Sequence, residues 1–60
     1  MMNLREGDNV EIVQNDRLCR CIVQNIRMDE EKGEKMYTLK MDGYTYTFYE
    51  SKLHSVMIEG

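Results

Sequence analysis

The sequence predicts an all-β domain, a small barrel of five antiparallel strands with one 3₁₀ turn before the last. Three observations lead there. Asp42-Gly43 lies between two β-prone runs, and such a dipeptide marks a hairpin because a type I′ turn needs positive φ at both central residues. A second apolar run, with Val10 and Ile12 alternating with polar neighbours, has the period of two of a half-buried strand. The connections between runs are short, no long helix is legible, and proline is absent from the 60 residues.

The hairpin carries the most detail. Folding residues 36–49 about Asp42-Gly43 pairs Met41 with Tyr44, Lys40 with Thr45, Leu39 with Tyr46, Thr38 with Thr47, Tyr37 with Phe48 and Met36 with Tyr49. Directly opposed residues share a face. One face then holds Tyr37, Leu39, Met41, Tyr44, Tyr46 and Phe48, and the other holds Thr38, Lys40, Thr45 and Thr47, with Met36 and Tyr49 at the open end. A three-residue loop would set Leu39 against Thr47, so the segregation itself selects an even loop.

The rest of the chain reads in order. Residues 1–6 are a polar lead-in anchored by Leu4, and Gly7-Asp8 turns into a first strand, Asn9–Gln14. Asn15 and Asp16 supply turn chemistry, since both tolerate the left-handed region. Residues 18–28 form a long second strand whose pattern slips. Cys19, Cys21 and Val23 make its early apolar face, then Ile22, Ile26 and Met28. A change of phase needs a bulge or strong bend, expected between Ile22 and Gln24. Residues 29–35 are an exposed charged connection turned by Gly33. Residues 50–53 suit one 3₁₀ turn with Leu53 tucked inward, and residues 55–59 make a closing strand with Val56 and Ile58 on one face.

Composition narrows the function. A chain of 60 residues is one domain at most, and at that size only about 60% of the unfolded surface is buried. No apolar run is long enough to span a membrane and no secretory leader is legible, so the expected location is the cytoplasm. Net charge is −3, from eight basic and eleven acidic residues, whereas a nucleic-acid binder normally carries a basic footprint. Arg17, Arg20 and Arg27 cluster loosely, but Asp16, Asp29, Glu30 and Glu31 flank them.

Cys19 and Cys21 are two apart on a strand, pointing the same way about 6.5 Å apart, so a bridge between them is strained. With His54 they are three candidate metal ligands, but their spacing lacks the usual paired-cysteine pattern; the simpler reading makes both cysteines small apolar residues. No metal or other cofactor is expected. Neither Ser51 nor Ser55 is marked as a nucleophile with an oriented base. Phosphate cradles and paired catalytic carboxylates are not legible either, and the expectation is a non-enzyme.

Gly7-Asp8 ahead of Val10-Glu11-Ile12, the bent run through Cys21, Val23 and Ile26, then Tyr37, Leu39, Asp42-Gly43, Ser51, Leu53 and Val56 resemble the Tudor-like and KOW-like branches of the Src-homology-3-like barrels. The resemblance covers residues 6–58. It implies a small interaction barrel; relatives of that kind bind peptides, methylated side chains, RNA or other proteins, and several phage and bacterial proteins use it as a plain docking module. A Tudor-type aromatic cage holds a methylated cation by cation–π attraction, but this chain has Leu18 where such families often place an aromatic residue, and it has no tryptophan.

Two functions follow. In the first, a small protein-interaction module docks a protein or peptide partner through Tyr44, Tyr46 and Tyr49, since Tyr37 and Phe48 are committed to the core. A variant is a regulatory or phage-encoded inhibitor presenting Asp29, Glu30, Glu31 and Glu34 to a basic target, although such a run reads first as a solvated loop tip. In the second, a KOW-like barrel touches RNA or DNA phosphates through Arg17, Arg20, Arg27 and Lys40. A hydrophobic edge at Val56 to Ile58 would also permit a homodimer by edge pairing.

Overall fold

The computed structural model describes residues 3–58, which form a four-stranded antiparallel sheet in the order β1-β2-β3-β4 and one short helix. The strands are β1 (Asn9–Gln14), β2 (Arg17–Asp29), β3 (Glu34–Met41) and β4 (Tyr44–Tyr49); the helix α1 is Glu50–Val56. The sheet is not closed into a barrel. Met1, Met2 and Glu59, the last assigned above to the closing strand, lie outside the described residues.

Two hairpins set the register. Asp42 and Gly43 have φ of 48° and 82°, so the turn is of the primed kind that matches strand twist. All six cross-strand pairs from Met41↔Tyr44 to Met36↔Tyr49 are those the alternation requires. The β1–β2 hairpin is built the same way. Asn15 and Asp16 take φ of 53° and 61° between the paired Gln14 and Arg17. Two polar residues that tolerate the left-handed region thus do there what Asp-Gly does in the second hairpin.

The expected phase slip in β2 is a β-bulge. Pairing with β3 runs Val23↔Leu39 and then Asn25↔Thr38, leaving Gln24 as the extra residue. Cys21 and Val23 are buried before it, and Ile26 returns to the same face after it to pack against the core. The Glu6 carboxylate accepts a hydrogen bond from the Ile26 N–H at 3.3 Å, just past the bulge. Ile22 departs from the expected later apolar face: it lies opposite Lys40 on the other face and is 48% exposed. Met28 recovers the inward parity but is exposed, because β2 runs on past the core by then.

The core is Val10, Ile12, Cys21, Val23, Tyr37, Leu39, Met41 and Leu53. Each fully buried aliphatic side chain contributes about 1.5–3 kcal/mol of transfer free energy, set against the entropy of ordering the chain. Tyr37 is buried to its ring, and its hydroxyl donates to Glu50 Oε2 at 3.1 Å. Burial first and this carboxylate second push its phenol above the ordinary value.

The chain after β4 departs from expectation. In place of a 3₁₀ turn and a strand over residues 55–59, an α-helix runs through Val56. The physical reason lies at its two ends. The Glu34 carboxylate, reaching from β3, accepts the free Ser51 N–H at 2.7 Å, and the Met57 N–H donates back to Leu53 C=O at 2.9 Å. With one first-turn donor met from across the sheet and the last turn closed, the helix seats Leu53, which is completely buried. Only a remnant of the fifth strand is left, an Ile12↔Met57 bridge and an Ile58 N–H to Glu11 C=O bond of 2.8 Å. Residues 56–58 are therefore spent on α1 and on β1, and offer no free strand edge.

Candidate interaction cleft

Strand parity divides the sheet into two faces. Tyr44, Tyr46 and Phe48 share the face of the buried Tyr37, Leu39 and Met41, yet Tyr44 is 67% and Tyr46 41% exposed. The cause is the open seam. β1 and β4 are the two ends of the strand order and share no pairing among the described residues, so nothing covers the inner face of β4 near its turn.

Both primed turns border that gap. Between them lies a cleft of about 540 Å³. Gln14, Asn15 and Arg17 contribute from the first hairpin; Asp42, Tyr44 and Tyr46 contribute from the second; Cys19 and Met41 complete the lining. A smaller hollow of about 300 Å³ shares Gln14 and Asn15 and runs on to Phe48, Lys52 and Val56. Among the described residues, the side chains of Gln14, Asn15, Arg17, Asp42, Tyr44 and Tyr46 make no hydrogen bond or ion pair with one another or with the rest of the chain. Two ring faces, a guanidinium, a carboxylate and two amides therefore stand ready for hydrogen bonding, stacking and charge pairing at one end of the molecule.

The opposite end of the sheet is built in the other sense. Asp29 Oδ1 accepts the N–H groups of Glu31 and Lys32 at 3.1 and 3.2 Å, and its Oδ2 accepts the Tyr49 hydroxyl at 2.8 Å. Gly33 N–H closes the same turn on the Asp29 carbonyl at 2.7 Å. Lys32 Nζ stands 4.5 Å from the Tyr49 ring centroid, within cation–π range. The Tyr49 hydroxyl, then the backbone donors, hold the Asp29 carboxyl below its ordinary 3.8. The same contact raises the Tyr49 phenol. Glu34 is held low in turn by its bond to Ser51.

These contacts sort the candidate residues. Tyr44 and Tyr46 meet in the cleft; Tyr49 lies on the opposite face and is committed to Asp29. Of the acidic set, Asp29 and Glu34 are engaged in the loop and the helix start, which leaves Glu30 and Glu31. The four cations do not converge. Arg17 lines the cleft, whereas Arg20, Arg27 and Lys40 have the parity of the other face, where Arg20 Nε pairs with Glu11 Oε2 at 3.3 Å. The cysteines are free. Burial pushes the Cys21 thiol up, and it faces Met41 Sδ at 3.9 Å. Among the described residues no three of His, Cys, Asp and Glu are gathered as a metal site, and no helix is long and apolar enough to cross a membrane.

Sequence reasoning missed the first-hairpin wall of the cleft. Its signal was present: a two-residue Asn15-Asp16 turn places Arg17 on the face of Cys19 and Cys21. What the signal lacked was the sheet's curvature, which brings that turn opposite Asp42-Gly43. Comparisons of the chain with protein families, with characterised proteins and with solved structures found no match.

Proposed function

We propose that this protein is a small non-catalytic interaction module that binds a protein or peptide partner in the cleft between its two hairpin turns. The observation that carries this reading is the pair Tyr44 and Tyr46, exposed on an inward-facing strand beside polar side chains that have no partner among the described residues. Aromatic side chains and arginine are the residue types that dominate protein interfaces. Tyrosine offers large contact area with few rotatable bonds, and a hydroxyl for orientation.

In fold terms we read the chain as a Src-homology-3-like barrel opened along the β1–β4 seam, with Met57 and Ile58 standing where a fifth strand would close it. Unbridged Cys19 and Cys21 suit a reducing compartment, in keeping with a cytoplasmic protein. A regulatory or inhibitory role through the acidic loop has less support than the cleft, because Asp29 and Glu34 are spent internally.

Heteronuclear NMR during titration with a captured partner tests the reading. Tyr44, Tyr46, Arg17 and Asn15 are expected to shift, and Tyr44→Ala with Tyr46→Ala to abolish binding while the fold persists. Shifts confined to the opposite face would overturn it.

One observation favours a second reading. Arg17 beside two tyrosines is the residue set of a stacking platform for single-stranded nucleic acid. Its test is a salt titration: a KOW-like barrel would bind RNA or DNA with a steep salt slope, and absence of binding at low salt ends that reading. The net charge of −3 and the dispersal of Arg20, Arg27 and Lys40 weigh against it.

A further inference from the structure

Three sulfurs sit together on the inner face of the sheet. Cys21 and Met41 are buried, and the half-buried Cys19 packs against the same core. Strand parity puts Cys19 and Cys21 on one face. The β2–β3 register, carried one step beyond the Ile22↔Lys40 pair, sets Cys21 opposite Met41. Cys19 and Met41 both line the cleft between the turns, so the group meets solvent on one side and the core on the other.

The spacing of these atoms is that of ligands to one soft metal. Two sulfurs bound to a common ion at about 2.3 Å stand about 3.8–4.6 Å apart, from tetrahedral to linear geometry. Cys21 Sγ and Met41 Sδ are 3.9 Å apart. Cys21 Sγ also leans back along its strand, to 3.8 Å from the Cys19 carbonyl oxygen. The kind of ligand narrows the metal. Zinc takes thiolate, imidazole or carboxylate, and the only histidine, His54, lies on α1 and does not line the cleft. Two thiols with a thioether are a set that selects Cu(I).

We propose that Cys19, Cys21 and Met41 bind one Cu(I) ion at the inner wall of the cleft. Closing the site takes a rotation of Cys19 about χ1 between staggered rotamers. Its Sγ then gives up a weak contact of 3.9 Å with the Arg17 carbonyl oxygen. No electron is transferred. Each thiol releases its proton to solvent, two S–H bonds are exchanged for two Cu–S bonds, and the thioether adds a lone pair. The site stands independently of the partner-binding reading, because it uses none of the tyrosines.

Anaerobic titration of the full chain with the Cu(I)–bicinchoninate complex tests this. The chain is expected to withdraw one equivalent of copper and to gain an ultraviolet thiolate-to-copper charge-transfer band. Met41→Leu conserves core volume and is expected to weaken binding about tenfold or more, as is Cys19→Ser at its half-buried position. Met28→Leu, at an exposed methionine, is expected to leave binding unchanged. In ¹³C NMR of the labelled methionine methyls, Met41 is expected to shift with copper and Met28 to stay in place. Copper left on bicinchoninate, binding indifferent to Met41→Leu, or a Met41 methyl unmoved by bound copper each overturns the proposal. So does zinc held as tightly as Cu(I).

Discussion

The two ends of the sheet are made from similar residues and used oppositely. At the helix end Asp29, Glu34, Tyr37, Tyr49 and Glu50 are tied to one another or to backbone donors. At the turn end Asp42, Tyr44, Tyr46 and Arg17 face a cleft with no partner among the described residues. Tyrosines and carboxylates are common to both ends, so residue type does not decide their use. What decides is coverage. α1 closes the first end and leaves the second open along the β1–β4 seam.

The largest expected effect breaks the closed end. Leu53→Ala deletes the one α1 side chain that is wholly buried, and should cost about 2–5 kcal/mol by cavity formation, read as a shift of the urea midpoint. A loss below about 1 kcal/mol would mean that α1 is not what holds that end together.

Gly43→Ala addresses the open end through the backbone. At φ of 82° a side chain is strained, and the expected loss is about 1 kcal/mol. Nothing lies within 4 Å of the added Cβ, so the cost is conformational and the cleft's side chains stay in place. Strong displacement of the Tyr44 and Tyr46 NMR signals would contradict that.

A third test sharpens the comparison by pH. Asp29 and Glu34 have folded-state pKa values below their unfolded ones, so their contribution is complete above about pH 5 and drains away as pH falls through the folded values. Tyr49 has a raised folded-state pKa, so its contribution is complete below about pH 10 and is lost as pH rises through the folded value. In Tyr49→Phe the Asp29 carboxyl should titrate closer to 3.8, with Glu34 nearly unmoved because Ser51 sets it. An unchanged Asp29 titration would show that the hydroxyl contact is not made in solution.

The smallest effect on stability belongs to the cleft. Tyr44→Ala and Arg17→Ala should each change unfolding free energy by no more than about 0.5 kcal/mol while weakening partner binding by about 2 kcal/mol where either is an anchor. A large destabilisation by either variant would assign these residues to the fold rather than to recognition.

Much of the local structure was legible in the residues. Asp42-Gly43 and the alternation around it dictated the hairpin register, and the change of phase after Val23 announced the bulge at Gln24. Leu53 was readable as an inward anchor, but the helix around it was not. Its start is capped by Glu34, sixteen residues before Glu50, and a cap reaching across the sheet leaves no trace in local spacing. The displaced fifth strand follows from that helix. Ile22 was misplaced for a different reason: an apolar residue beside a bulge fits either phase, and only pairing with Lys40 decides.

By itself, then, the sequence determined which residues oppose one another, because strand parity and turn chemistry act over a few neighbouring positions. Which aromatic face stays wet was decided by the tertiary structure. Tyr37 and Tyr46 share one face of one hairpin, and the first is buried while the second is exposed. The difference arises because α1 packs against β1, β3 and β4 at one end and leaves the sheet open at the other, and coverage depends on contacts far apart in the chain.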